Sequence, residues 1–307
     1  MSDDLPEAAR GRLHGGAFTS GLSVADLAAC HAMGLEPVGL VQGFCAMQWG
    51  YGPMRTGMGM GLGSGAGLGM GFAAGPAGGV ARGGYVQNYQ CPHGMVSAEH
   101  RQWGQNYEQT WIEQSWHDGY AAASHRMLEE ATALGAHGVV GVVDSVASLV
   151  EAGVVEFHLL GTAVSVAGLD RPATPWTTSL AGQRLAKLFE AGYAPVATIA
   201  VVSSVRVWAS CMTEYFMGSG AGLWSSPSDS VEIDQLVSAR TRARQLARER
   251  ARGELHGDEL HGVDLRVNER EPGQGDIDIE VQLRGNRVRR ARPADPLTFP
   301  RPTVSLS

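Results

Sequence analysis

Two stretches of this chain repeat one another at constant separation, and a repeat fixes the architecture before any local motif is read. Residues 18–38 read F-T-S-G-L-S-V-A-D-L-A-A-C-H-A-M-G-L-E-P-V, and residues 176–196 read W-T-T-S-L-A-G-Q-R-L-A-K-L-F-E-A-G-Y-A-P-V. Thr19, Leu22, Leu27, Ala28, Gly34, Pro37 and Val38 recur without a gap 158 residues later, as Thr177, Leu180, Leu185, Ala186, Gly192, Pro195 and Val196. His137-Gly138-Val139 recurs as His261-Gly262-Val263 and Gly161 as Gly285, both at a separation of 124. The fall from 158 to 124 gives the first copy 34 extra residues, between Val38 and His137. The glycine-rich run at about 50–84 is where they fit. Gly63-Ser64-Gly65-Ala66-Gly67-Leu68 within it returns at a separation of 155 as Gly218-Ser219-Gly220-Ala221-Gly222-Leu223.

A chain of 307 residues is long enough for two domains, each burying its own core. Its formal net charge of −7 and charged fraction of 18% argue against nucleic acid as the main partner, since phosphate binding needs clustered positive charge. The acidic start, M-S-D-D-L-P-E-A-A-R, is not a secretory signal. Cys30, Cys45, Cys91 and Cys211 have no C-x-x-C spacing and read as free thiols of a cytoplasmic protein.

Each copy opens on a short helix, capped near Ser23 and Asp26 in the first. Gly34 and Gly192 stand where a left-handed cap would end it, and Pro37 and Pro195 forbid continuation. Strands rich in β-branched residues follow, from Val38 to about Trp49 and from Val196 to about Trp208. A long amphipathic helix comes next. Ile112, Trp116, Tyr120, Ala123, Met127, Ala131 and Leu134 keep its spacing in the first copy. Ile233, Leu236, Val237, Ala243, Leu246, Ala247 and Ala251 do so in the second. Two strands close each copy. Ile277, Ile279, Val281 and Leu283 alternate with polar residues, and Pro272-Gly273 with Gly275 marks a hairpin turn. The expected fold is α+β: two tandem helix-strand-helix-strand-strand modules, each a small antiparallel sheet on one long helix. The divisions are an extension at 1–17, modules at 18–168 and 176–291, and a proline-containing tail at 292–307.

The helix end L-G-A-H-G-V-V-G-V, from Leu134 to Val142, followed by H-L-L-G-T-A-V, from His158 to Val164, resembles the YbjQ-like family, often labelled a heavy-metal-binding domain. The resemblance covers about residues 35–167; the second copy, 193–291, joins it through the internal repeat. It implies a small α/β layer and assembly into a five-fold ring. This chain departs from the family at His137, where a small acidic or amide residue is usual, and in the length of the glycine insertion.

The glycine run carries the most unusual pattern. Every odd position from Gly57 to Gly71 is glycine, with Met58, Met60, Leu62, Ser64, Ala66, Leu68, Met70 and Phe72 between. Period two belongs to an extended chain with one apolar face. It reads as a disordered loop, since ordering glycine is costly, or as an arm lying on a neighbouring subunit with Gly218, Gly220 and Gly222 in the matching loop. Residues 56–81 carry no charge over 26 positions, so membrane contact is a third reading, weakened by eleven glycines. No lysine follows in P-loop register.

A divalent metal has one local candidate set, Cys91, His93 and His100, with Cys45 or His137 as distant partners. The second copy lacks counterparts of Cys91 and His93, so any such site belongs to the first alone. His137 and His261, the histidines matched between copies, suit a structural helix-to-strand turn. Arg240, Arg242, Arg244, Arg248, Arg250 and Arg252 make one basic helix, read as a solvated face or a contact with an acidic neighbouring subunit. Trp103, Trp111 and Trp116 read as core and interface anchors. No nucleophile–base pair or cofactor fingerprint is present in the sequence. The expected protein is a non-enzymatic scaffold whose partner is itself, in a homo-oligomeric ring. The alternatives are a small-ligand or metal-binding module with sites between subunits, and a membrane-active assembly.

Overall fold

The structure, a computed structural model, describes residues 19–48, 104–149, 154–210, 232–273 and 276–291, with Gly11, Thr213 and Met217. Helix α1 (Val24–Ala32) begins where the Ser23 hydroxyl accepts the Asp26 amide and stops before Gly34, whose φ of +74° turns the chain. Gly192 does the same, at +83°, after α3 (Gly182–Glu190). The long helices are α2 (Thr110–Ala133) and α4 (Asp234–Gly253). The strands are β1 (Leu35–Gln48), β2 (Asn106–Glu108), β3 (Gly138–Leu149), β4 (Val154–Val166), β5 (Trp176–Thr177), β6 (Tyr193–Val207), β7 (Glu259–Gly273) and β8 (Asp276–Arg290). The protein is α+β, with two four-stranded sheets ordered β1-β4-β3-β5 and β2-β6-β8-β7.

Strand register places like residues at like positions in the two sheets. Pro37 faces Val164 and Pro195 faces Val288, each beside a bulge that shifts the register by one residue. Gly161 and Gly285 lie opposite Val41 and Ile199. One matched motif needs correction. Val140 pairs with Thr162, whereas His261 pairs with Asn286, the counterpart of Thr162. His261 therefore corresponds to Val140 and not to His137. Gly141 and Gly262 share the bulge, at φ +62° and +64°. The H-G-V match is out of register by three residues, because the β7–β8 hairpin is longer: Arg270 pairs with Asp278 where Leu149 pairs with Val154.

The long helices align by their ends. Leu134 N–H reaches Glu130 O and Gly135 N–H reaches Thr132 O, just as Glu254 reaches Arg250 and Leu255 reaches Arg252, a separation of 120. Ala123, Met127 and Ala131 then match Ala243, Ala247 and Ala251, all buried. The 34 extra residues are thus a net figure. The excess between β1 and α2 is 38, and four are returned at the helix–strand turn and the hairpin.

Helix α2 packs on Val41, Cys45, Phe157 and Leu159 of the first sheet, and α4 on Ile199, Val201, Ile279 and Val281 of the second. Val237, expected on the buried stripe of α4, is 41% exposed, because the apolar arc of that helix runs through Leu236, Ala239 and Ala243 instead. A third core joins the halves through Cys30 and Leu35 with Leu185, Leu188 and Val288. The seating of α2 is close: a Cβ on Gly43 would lie 1.8 Å from Ala123 O. Gly43→Ala is therefore expected to cost about 3 kcal/mol, the upper end for overpacking. Gly253→Ala, with nothing within 4 Å at a helix end, should be neutral or stabilising. Urea unfolding of both variants checks this, and equal midpoints would refute the packing.

Candidate functional site

The region where polar chemistry concentrates is the junction of the halves, and strand exchange builds it. β2, which leads into α2 of the first half, runs antiparallel to Val205–Val207 of β6. β5, which leads into α3 of the second half, runs parallel to Gly138–Val139 of β3. Each sheet thus takes one edge strand from the other half. The Trp176 ring lies so near Gly138 that a Cβ there would meet it at 2.2 Å.

α2 also covers one face of β6. Ala200 and Val202 join the core that holds Trp116. The Tyr120 hydroxyl lies 3.5 Å from that of Thr198, and burial pushes it up to about 12, with Thr198 opposing. Glu113 accepts the Ser204 amide at 3.0 Å and pairs with Arg250. Gln109 accepts the Ser204 hydroxyl at 2.7 Å and donates its amide to Ser204 O. Asp144 of β3 meets Arg284 of β8 at 2.9 Å, both side chains 16% exposed. Burial raises the carboxyls of Glu113 and Asp144; Arg250 and Arg284 oppose the shift, together with the Ser204 amide at Glu113. Asn286, fully buried, accepts the Thr178 hydroxyl at 2.9 Å and the Ser179 amide at 2.7 Å, tying β8 to the segment after β5.

The two histidines play different parts. His137 is 7% exposed; its Nδ1 accepts the Val166 amide and its Nε2 faces Leu169 O, both at 3.1 Å. Since Nδ1 is an acceptor, the proton lies on Nε2, and both ring nitrogens are spent on backbone. His261 is more exposed, 3.1 Å from Glu259, whose carboxyl that bond holds below its ordinary range. The arginine helix finds acids within its own chain: Arg240 with Glu269, Arg242 with Glu108 and Arg250 with Glu113. Trp116 is buried, and Trp111 is partly so.

Cys91, His93 and His100 lie outside the described residues, as do Met58, Met60, Leu62, Leu68, Met70, Phe72 and Trp103, and Gly218, Gly220 and Gly222. Cys45 is buried beneath α2. Among the described residues no group of three or more His, Cys, Asp or Glu could hold a metal ion, and no helix is long and apolar enough to cross a membrane. The site residues missed by sequence reasoning are Glu113, Asp144, Arg284 and Asn286. Glu113 alone left a trace: it sits on the arc Glu113, Trp116, Tyr120, a carboxylate among core positions. Comparison of the chain with protein-family models, curated proteins and solved structures gives no match.

Glu113 and Asp144 bind a proton more tightly folded than unfolded. Their contribution to stability is fully present below the ordinary carboxylate value of about 4 and is lost as pH rises through the higher folded values. Asp258, Glu259 and Glu269 are held low by hydrogen bonds to Arg289, His261 and Arg240, so their contribution is lost only further into acid. The advantage of wild type over Glu113→Gln/Asp144→Asn in urea midpoint should therefore grow from about pH 7.5 to about pH 5. A constant difference would contradict the assignment.

Proposed function

We propose that this protein is a non-enzymatic scaffold of two tandem modules of one duplicated fold, related to the YbjQ-like family, which joins copies of itself into a closed ring. The observation that carries the reading is the form of the junction inside the chain. The first half contributes the β3 edge, α2 and β2; the second contributes the β6 edge and β5. These surfaces differ, so the contact is head-to-tail, and such a contact repeats until rotation closes it. The two surfaces left over are the matching pair. Among the described residues β1 pairs only with β4, and β7 only with β8. An edge strand invites pairing with another chain, and a ring would cover both in a single defined way.

In this reading the β7 edge of one copy takes the segment leading into α1 of the next, as β3 takes Trp176–Thr177 ahead of α3. The cytosol suits the protein, with Cys30 and Cys45 as buried free thiols. Sedimentation velocity on the full chain tests the proposal. The expected result is one discrete species, a whole multiple of the chain mass, persisting at micromolar concentration. A monomer under those conditions would overturn it.

A further inference from the structure

The outer face of the first sheet carries apolar side chains in the open. Phe44 is 42% exposed and stacks edge-on against His158 at 4.5 Å, and Leu160 is 39% exposed. Their counterparts by strand register are Val202 for Phe44, Ala200 for Gln42 and Ser204 for Ala46 on β6, with Arg284 for Leu160 on β8. That face of the second sheet is covered by the first half: Val202 is 3% and Ala200 7% exposed. The residues touching it, Glu113 at Ser204 and Asp144 at Arg284, have their own counterparts. A separation of 120 along the helices carries Glu113 to Ile233. The shared partner row, Leu159 and Leu283, carries Asp144 to Leu265.

Both sides of each contact change chemistry together. A buried carboxylate on a backbone amide, Glu113 at Ser204, corresponds to Ile233 and Ala46. A buried ion pair, Asp144 with Arg284, corresponds to Leu265 and Leu160. Ile233 and Leu265 are only partly buried within their own chain. We propose that a second copy of the chain occupies the outer face of the first sheet, its Leu265 against Leu160 and its Ile233 against Ala46, beside Phe44. The inference rests on the head-to-tail reading above and adds its contact residues.

The pairing also sets which halves meet. Leu265 against Arg284, or Asp144 against Leu160, would leave a charge without its partner inside a contact, and that mismatch excludes the wrong junction. First halves therefore meet second halves, within and between chains.

The test transplants the inner pair into the outer contact. Leu160→Arg and Leu265→Asp each place at one site the residue that its counterpart already holds. Each single variant is expected to raise the concentration needed for assembly about tenfold or more, and the double variant to recover it. Phe44→Asp, at an exposed position, should dissociate the assembly with its circular dichroism unchanged. Sedimentation velocity across a concentration series reads all four. An oligomeric wild type whose size and concentration dependence none of the three single changes alters would overturn this contact and leave the ring standing. Single variants that dissociate while the double variant does not recover would overturn the pairing of Leu160 with Leu265. A monomeric wild type overturns both proposals together.

Discussion

The constraint on which the rest of the structure depends is the unpaired edge of a β-sheet. Each half folds three strands of its own, β1-β4-β3 or β6-β8-β7, and three strands leave two rows of backbone groups facing outward. One row in each half is closed by a strand from the other half, two or three residues long. So short a strand adds few hydrogen bonds. Its effect is positional, because β2 sets the start of α2 against β6 and β5 sets Trp176 against Gly138. The halves are interlocked, which explains why two hydrophobic cores, around Cys30, Leu185 and Val288 and around Trp116, draw on both.

Interlocking also explains why the long helices differ. α4 meets its sheet with alanines: Ala239, Ala243, Ala247 and Ala251 are buried. α2 meets two sheets at once, and at the corresponding turns it carries Gly119, Ala123, Met127 and Ala131, with Trp116 and Glu113 besides. Gly119 accommodates the Phe157 ring, which a Cβ would meet at 2.3 Å. A helix buried on one side can afford uniform small residues. A helix wedged between two sheets needs residues of graded size, and polar ones wherever it passes a free backbone amide.

Much of this was legible in the sequence because the repeat is written in residues with backbone consequences. Gly34 and Gly192 end helices, Pro37 and Pro195 mark bulges, and Gly161 and Gly285 sit at one register position; each is constrained locally. H-G-V misled because two residues flanking a glycine are a weak constraint, and only the partner strand reveals that Gly262 corresponds to Gly141. The exchanged strands left no signal, since Asn106–Glu108 and Trp176–Thr177 are too short for a period. The junction charges were illegible for another reason. Asp144 and Arg284 are 140 residues apart, and each looks like a surface residue until the other half is laid over it.

The junction proposed between chains would differ in chemistry from the one inside the chain because of how each one forms. Inside the chain the halves are tethered, so their contact forms at high effective concentration and needs little net attraction of its own. It can hold Glu113 and Asp144, although the desolvation of a buried ion pair largely cancels its Coulomb gain. A contact between chains has no tether and must overcome the loss of free translation and rotation. Apolar burial supplies that surplus at roughly 25 cal/mol per Å² without any charge to desolvate. In the proposed assembly, leucine and isoleucine at the outer positions, against aspartate and glutamate at the inner ones, are what this difference would select. In the ring proposed above, a duplication that began with two identical contacts would be driven toward one of each kind, with the ionic pair at the junction that covalent linkage already secures.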